Sequence, residues 1–140
     1  MHDKDNLVRH YIFCFFNNSY RFCSNYAPQL ELLQKASLNI THAGLNTTLE
    51  SLSYGVPMVA IPITDDQPGV AARIAWTGVG EVVKSSLSAN NLRESITRVL
   101  KERSYKQNAI QLQEAIRRTE GVNRAVDIIE QAVSTKKPVI

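Results

Sequence analysis

The residues best placed to do chemistry begin at His42. His42 follows a short run, Ser37 to Thr41, in which apolar Leu38 and Ile40 and β-branched Thr41 suit a buried strand. An imidazole can donate a hydrogen bond to an anion. Gly44, two places on, has no Cβ and lets the backbone come close to one. Leu45, Leu49 and Leu52 then recur at i, i+4 and i+7, which predicts a short helix. Thr47 and Glu50 have the spacing of a capping box, so the predicted helix starts at Asn46 or Thr47; Gly55 and Pro57 predict its end. A helix N-terminus just beyond a parallel strand offers free N–H groups and the positive end of a dipole. Phosphate is its commonest guest.

The elements that must hold this turn are legible on either side of it. Pro28 opens a short helix with Leu30, Leu33 and Leu32 as its inward candidates. Met58 to Ile63 is a continuous apolar run, as expected of a parallel strand buried on both faces. Thr64 to Pro68 reads as a polar loop at its carboxyl end, Gly69 to Thr77 as a helix, and Glu81 to Val83 as a last strand. Ser88 is the expected N-cap of a helix carrying Leu92, Ile96, Val99 and Leu100 on one face. Tyr105, Ala109, Leu112 and Ile116 repeat that pattern, and Val122, Val126, Ile129 and Val133 do so again after Gly121. Strands alternating with helices predict an α/β fold with a parallel sheet. Ligands of such sheets bind at the carboxyl ends of the strands.

The chain has 140 residues, 44% of them hydrophobic and 21% charged, which fits one soluble globular domain. A net charge of +3 spread along the chain argues against nucleic acid as a partner. Cys14 and Cys23 have neither CxxC spacing nor nearby histidines arranged for a metal, and a structural disulfide is not expected. No apolar run reaches the ~18 residues of a membrane helix. The expected location is cytoplasmic.

Four blocks in order, YAPQ from Tyr26 to Gln29, HAGLNTTLE from His42 to Glu50, GVP from Gly55 to Pro57 and DQP from Asp66 to Pro68, resemble a known signature. It is the donor-binding signature of the UDP-dependent glycosyltransferases of the GT-B fold. The resemblance runs from about Tyr26 to Val83 and more loosely through the C-terminal helices; its nearest flavour is the bacterial macrolide and carotenoid (zeaxanthin) glucosyltransferases. It implies a Rossmann-like parallel sheet flanked by helices, the C-terminal half of a GT-B fold. The implied ligand is a UDP-sugar, as donor substrate, with no cofactor and no metal.

The resemblance also implies roles. Tyr26 takes the place of a tryptophan that stacks on uracil in plant members; it is equally readable as an aromatic packed at a strand end. Gln29 would hydrogen-bond the base or ribose, or stand exposed in a first helical turn. His42 would touch the diphosphate and stabilise charge on departing UDP. Gly44, Asn46 and Thr47 would serve the same phosphates, Thr47 also as a cap. Glu50 would accept from the ribose hydroxyls, or complete the capping box. Asp66 and Gln67 match the pair that reads the sugar hydroxyls, with Asp65 beside them as a one-residue alternative. The sequence departs from the family at Ala43 and Leu45, where glycine, tryptophan or methionine are common. No glycine precedes Gly44, so the loop expected in the first part of a donor domain is not visible.

The expected organisation is an atypical segment over 1–25, a donor-binding domain over 26–135 and a tail over 136–140. Within the first segment, His10 to Phe16 and Arg21 to Tyr26 read as strands around an Asn17 to Ser19 turn. The chain reads as the donor half of an inverting enzyme that moves a hexose, glucose foremost, to a hydroxyl of a small lipophilic acceptor. Its N-terminal acceptor domain and general base are expected to be absent, since His2 and His10 sit in no matching context, and the chain alone is expected to be inactive. Two alternatives stand beside this: a non-catalytic UDP-sugar-binding subunit with a separate acceptor partner, and a degenerate fragment that self-associates through Tyr11 to Phe16. A Rossmann dehydrogenase is disfavoured, because no GxGxxG is present.

Overall fold

The computed structural model describes residues 13–17, 20–24, 28–83 and 88–136, the first two stretches as backbone. The chain opens with β1 (Phe13–Asn17) and β2 (Tyr20–Ser24), paired antiparallel, then α1 (Gln29–Leu33). The α/β core follows as β3 (Asn39–Thr41), α2 (Leu45–Ser53), β4 (Met58–Ala60), α3 (Gln67–Trp76) and β5 (Gly80–Val82). Three helices end it: α4 (Ala89–Lys101), α5 (Arg103–Thr119) and α6 (Gly121–Thr135).

The parallel sheet has the order β3-β4-β5, with Ile40 opposite Val59 and Val59 opposite Glu81. All three residues of β4 are buried, as a central parallel strand requires. Alternation sends its side chains to two separate cores. Met58 and Ala60 join Ala43, Leu52, Ala71, Ile74, Val79 and Ala109, under α2, α3 and α5. Val59 joins Leu38, Val83 and Val99, with Leu92, Ile96 and Tyr105 from the α4 side packed against them. The sheet is therefore covered on both faces.

α5 holds the amino-terminal side of the sheet closed through three side-chain bonds. Lys106 Nζ donates to the Gly55 carbonyl at 2.6 Å, Gln113 Nε2 to Ser53 at 2.9 Å and Asn108 Nδ2 to Gly78 at 3.0 Å. These satisfy carbonyls at the ends of α2 and α3 that their own helices leave open. Burial beside Gly55 pushes the Lys106 ammonium below its usual pKa. Gly55 itself has φ +63°; its N–H bonds Leu52, and the Val56 N–H bonds Ser51, the Schellman stop expected at this glycine.

The structure corrects several sequence expectations. α2 begins at Leu45 with Gly44 as N-cap, so Thr47 and Glu50 are in its first and second turns and form no capping box. α3 begins at Gln67, inside the stretch expected as loop. Leu30 is 49% exposed rather than inward, and Leu100 is 46% exposed. The valine and isoleucine stripe of α6 is also uncovered: Val122 is 79% and Val133 70% exposed. The register of the first hairpin sets Cys14 opposite Cys23, a juxtaposition that their spacing alone did not reveal.

Candidate functional site: the turn after β3 and the mouth of α2

Between β3 and α2 the backbone makes a tight, unusual turn. Ala43 is fully buried at φ +65°, a conformation that L-residues rarely adopt, and its N–H donates to Thr41 Oγ1 at 3.1 Å. Gly44 returns to an ordinary extended conformation, φ −64° and ψ 139°. The glycine is needed here for space rather than for φ. A Cβ at this position would meet His42 Nε2 at 2.6 Å, with Cε1 at 3.3 Å and Cδ2 at 3.4 Å. The His42 imidazole therefore lies over Gly44, beside the N-terminus of α2. As N-cap, glycine has no side chain to accept from the first-turn N–H groups, which leaves that end of the helix open to an anion.

One polar link ties α2 to the sheet, and a second bond braces its own first turn. Buried Asn39 donates from Nδ2 to Ser51 Oγ at 2.7 Å, and Ser51 donates on to the Thr47 carbonyl at 2.8 Å. Thr48 Oγ1 donates to the Gly44 carbonyl at 2.9 Å. The helix is held in rotation as well as position, so Asn46, exposed, and Thr47, half-buried, keep their places in its first turn.

From the other side, Gln29 at the start of α1 reaches across. Its Nε2 donates to Glu50 Oε2 and lies 3.4 Å from Thr47 Oγ1. Gln29, Thr47 and Glu50 thus form one cluster at the α2 mouth. Asp66 and Gln67 stand at the carboxyl end of the adjacent strand, β4. Gln67 Oε1 accepts from the N–H groups of Ile63 at 2.8 Å and Thr64 at 3.1 Å, which staples the loop between β4 and α3. Its carbonyl is committed there, so its NH₂ is what remains to offer a ligand. Asp66 is exposed at the N-cap of α3 without a capping bond of its own, and exposed Asp65 beside it has φ +57°. Tyr26 lies outside the described residues. Among the described residues no group of three or more His, Cys, Asp or Glu side chains could hold a metal.

The sequence pattern thus places His42, Gly44, Asn46 and Thr47 at one helix mouth, with Asp66 and Gln67 at the end of the neighbouring strand. What sequence reasoning missed was the bond from Gln29 to Glu50. The two are 21 residues apart on different helices, and no local signal joins them.

An α/β domain with a glycine turn, a histidine and an open helix mouth at the carboxyl ends of parallel strands is of the nucleotide-binding class. Residues 16–136 match the family described as UDP-glucoronosyl and UDP-glucosyl transferase, and the chain belongs to it. It is 36% identical over 116 residues to zeaxanthin glucosyltransferase of Pantoea ananas, covering 83% of this chain and 27% of that protein. It is 40% identical over 112 residues to the uncharacterized UDP-glucosyltransferase YojK of Bacillus subtilis (strain 168), covering 79% and 28%. Its structural neighbours are GT-B glycosyltransferases. The glycotransferase of kitacinnamycin matches with TM-score 0.73 and 30% identity, over 76% of this chain and 28% of that one. The glycosyltransferase VinC, in complex with dTDP, matches with TM-score 0.69 and 29% identity, over 77% and 29%. The chain spans little more than a quarter of the length of these curated relatives. No helix among the described residues is long and apolar enough to cross a membrane.

Proposed function

We propose that this chain is the donor-binding half of a glycosyltransferase that moves a hexose, glucose foremost, from a UDP-sugar to a hydroxyl of a small lipophilic acceptor. The observation that carries the reading is the shared position of His42, Gly44, Thr47, Gln29 and Glu50 around the α2 N-terminus. In this reading the open N–H groups of α2 and the His42 imidazole take the diphosphate, and Gly44 lets the phosphates come close to the backbone. Glu50 accepts from the ribose diol. Asp66 accepts from the sugar hydroxyls and the Gln67 amide donates to them. Stabilising the charge that builds on UDP as the glycosidic bond breaks is the contribution of His42 and the helix mouth to transfer. The UDP-sugar is a substrate, and no separate cofactor is needed.

Removal of the acceptor proton and exclusion of water call for a facing domain that closes on this surface. The chain alone is expected to bind UDP weakly and to transfer nothing. Titration of the 140-residue chain with UDP, beside a His42→Ala, Glu50→Ala variant, tests the donor site: saturable binding lost in the variant is expected. Absence of saturation by a folded chain at millimolar UDP would overturn the reading, and robust turnover by the purified chain would overturn its predicted inactivity.

A second reading, a binding subunit that works with a separately encoded acceptor partner, is favoured by the uncovered apolar stripe of α6, where Ile129 is 61% exposed. Co-purification with such a partner would distinguish it.

A further inference from the structure

Cys14 and Cys23 are the only cysteines of the chain, and neither stands among the proposed donor residues. Their spacing in sequence predicts no bond between them; the register of the first hairpin does. β1 and β2 pair antiparallel, with Asn17 opposite Tyr20, Phe16 opposite Arg21, Phe15 opposite Phe22 and Cys14 opposite Cys23. Two residues separate Asn17 from Tyr20 in the chain, and the pair that closes so short a connection is of the hydrogen-bonded kind. Opposite pairs alternate in kind along an antiparallel ladder. Counting back from Asn17 and Tyr20, Cys14 and Cys23 form a non-hydrogen-bonded pair. The Cα atoms of such a pair stand about 4.5 Å apart, and its Cβ atoms are the closest that two paired strands offer. A disulfide needs Cα atoms roughly 4.4–6.8 Å apart and Cβ atoms roughly 3.5–4.5 Å apart. A slip of one residue would set the two cysteines on opposite faces of the hairpin.

We infer that Cys14 and Cys23 are a redox site, closing to a cross-strand disulfide by exchange with a low-molecular-weight disulfide and reopening with the corresponding thiol. On closing, one cysteine thiolate attacks a sulfur of the small disulfide, forms a mixed disulfide and expels one small thiolate. The second cysteine thiolate attacks the protein sulfur of that mixed disulfide and expels the other. Two protein thiols are oxidised, one small disulfide is reduced to two thiols, and the released thiolates take up the two protons that the cysteines lose. The second attack is intramolecular, because the ladder already holds the partner opposite. Arg21, two places before Cys23, shares its face of the strand, and a cation near a thiol favours the thiolate that exchange requires. β1 also lies against β3, the strand that leads into the His42 turn, so the closed bond fastens both strands of the hairpin beside the core sheet. The redox poise of the surroundings sets how much of the chain is closed.

The test equilibrates the 140-residue chain in buffers of reduced and oxidised glutathione, quenches with acid and reads the cysteine peptides by mass spectrometry. The expected product joins Cys14 to Cys23 within one chain. A disulfide that fits the native backbone forms more readily in the folded chain than in the unfolded one, by the same factor by which it stabilises the fold. The equilibrium constant for closure should therefore be roughly thirtyfold or more above that of the same chain unfolded in urea. Oxidation should also raise the unfolding midpoint of the wild-type chain. Cys23→Ser combined with Phe22→Cys moves the second thiol one place along β2, to the other face, and should remove both effects. Equal closure in the folded and unfolded chains would overturn the inference without recourse to any variant. So would closure of the shifted variant as complete as that of wild type, or glutathione left on both cysteines as mixed disulfides. No sugar nucleotide enters the experiment, so its outcome is independent of the donor-site reading.

Discussion

Gly44→Ala separates the stability of this fold from the geometry of its proposed anion site. Gly44 has φ −64° and ψ 139°, a conformation open to any residue, so alanine brings no backbone strain. It also narrows the unfolded ensemble, which stabilises by about 0.4–1 kcal/mol. The new Cβ would sit 2.6 Å from His42 Nε2, where ordinary contact begins near 3.4 Å, so the ring must retreat by about 0.8 Å. The atoms met belong to the far end of a side chain with two rotatable bonds and not to backbone, so the ring rather than the chain must turn aside. The unfolding midpoint is therefore expected to stay level or rise slightly. The diphosphate should pay instead, because a charged hydrogen bond is broken or bent, a loss of about 1.5–3 kcal/mol or roughly ten- to hundredfold in affinity. Calorimetric titration with UDP and with uridine reads this directly: UDP should weaken and uridine should not. Gly80→Ala is the contrasting control. Its Cβ would lie 2.0 Å from the Met58 carbonyl oxygen within the sheet, so it should unfold or severely destabilise the protein. If Gly44→Ala bound UDP within about twofold of wild type, or lost uridine equally, the placement of His42 at the phosphates would be refuted.

Two further predictions concern what holds the site. Ser51→Ala leaves buried Asn39 without its 2.7 Å partner and should destabilise by about 1–3 kcal/mol in denaturant titration; combined with Asn39→Ala it should cost less than the sum of the two, and strict additivity would rule out the link. Burial, reinforced by the hydrogen bond and charge of Glu81, raises the Tyr105 pKa above its usual 10.0. The folded chain keeps that phenolic proton where the unfolded chain releases it, so the stabilisation is full below 10.0 and lost as pH climbs through the raised value. Tyr105→Phe should cost about 1 kcal/mol at neutral pH, since Arg98 still holds Glu81 at 2.8 Å. It should also flatten the alkaline fall of the unfolding midpoint, and an unchanged alkaline slope would count against this account.

The sequence by itself determined the class of fold and which residues stand at the turn after β3. The apolar run Met58 to Ile63 predicted a doubly buried strand, which Met58–Ala60 form, while Ile63 beyond it is 78% exposed; the Leu45, Leu49, Leu52 period predicted the helix that α2 is. Because strand, turn and helix are consecutive, their order alone brings His42 and Gly44 to a helix N-terminus. Periodicity reports which face of a helix is apolar, but not whether anything covers it. The stripes on α4 and α5 find the sheet, whereas that on α6 stays exposed, because burial belongs to the neighbour and not to the helix. The capping-box spacing of Thr47 and Glu50 was equally local, and it lost to Gly44, which starts the helix at Leu45, ahead of the expected Asn46 or Thr47, in a turn fixed by Ala43 packing and the Thr41 side chain. Glu50 was thereby released from the backbone and taken by Gln29. Likewise, Gln67 was legible as a candidate for the site, but the loss of its carbonyl to Ile63 and Thr64 was not. Tertiary structure decided these partners because a hydrogen bond depends on a few tenths of an ångström between groups that folding, not chain order, brings together.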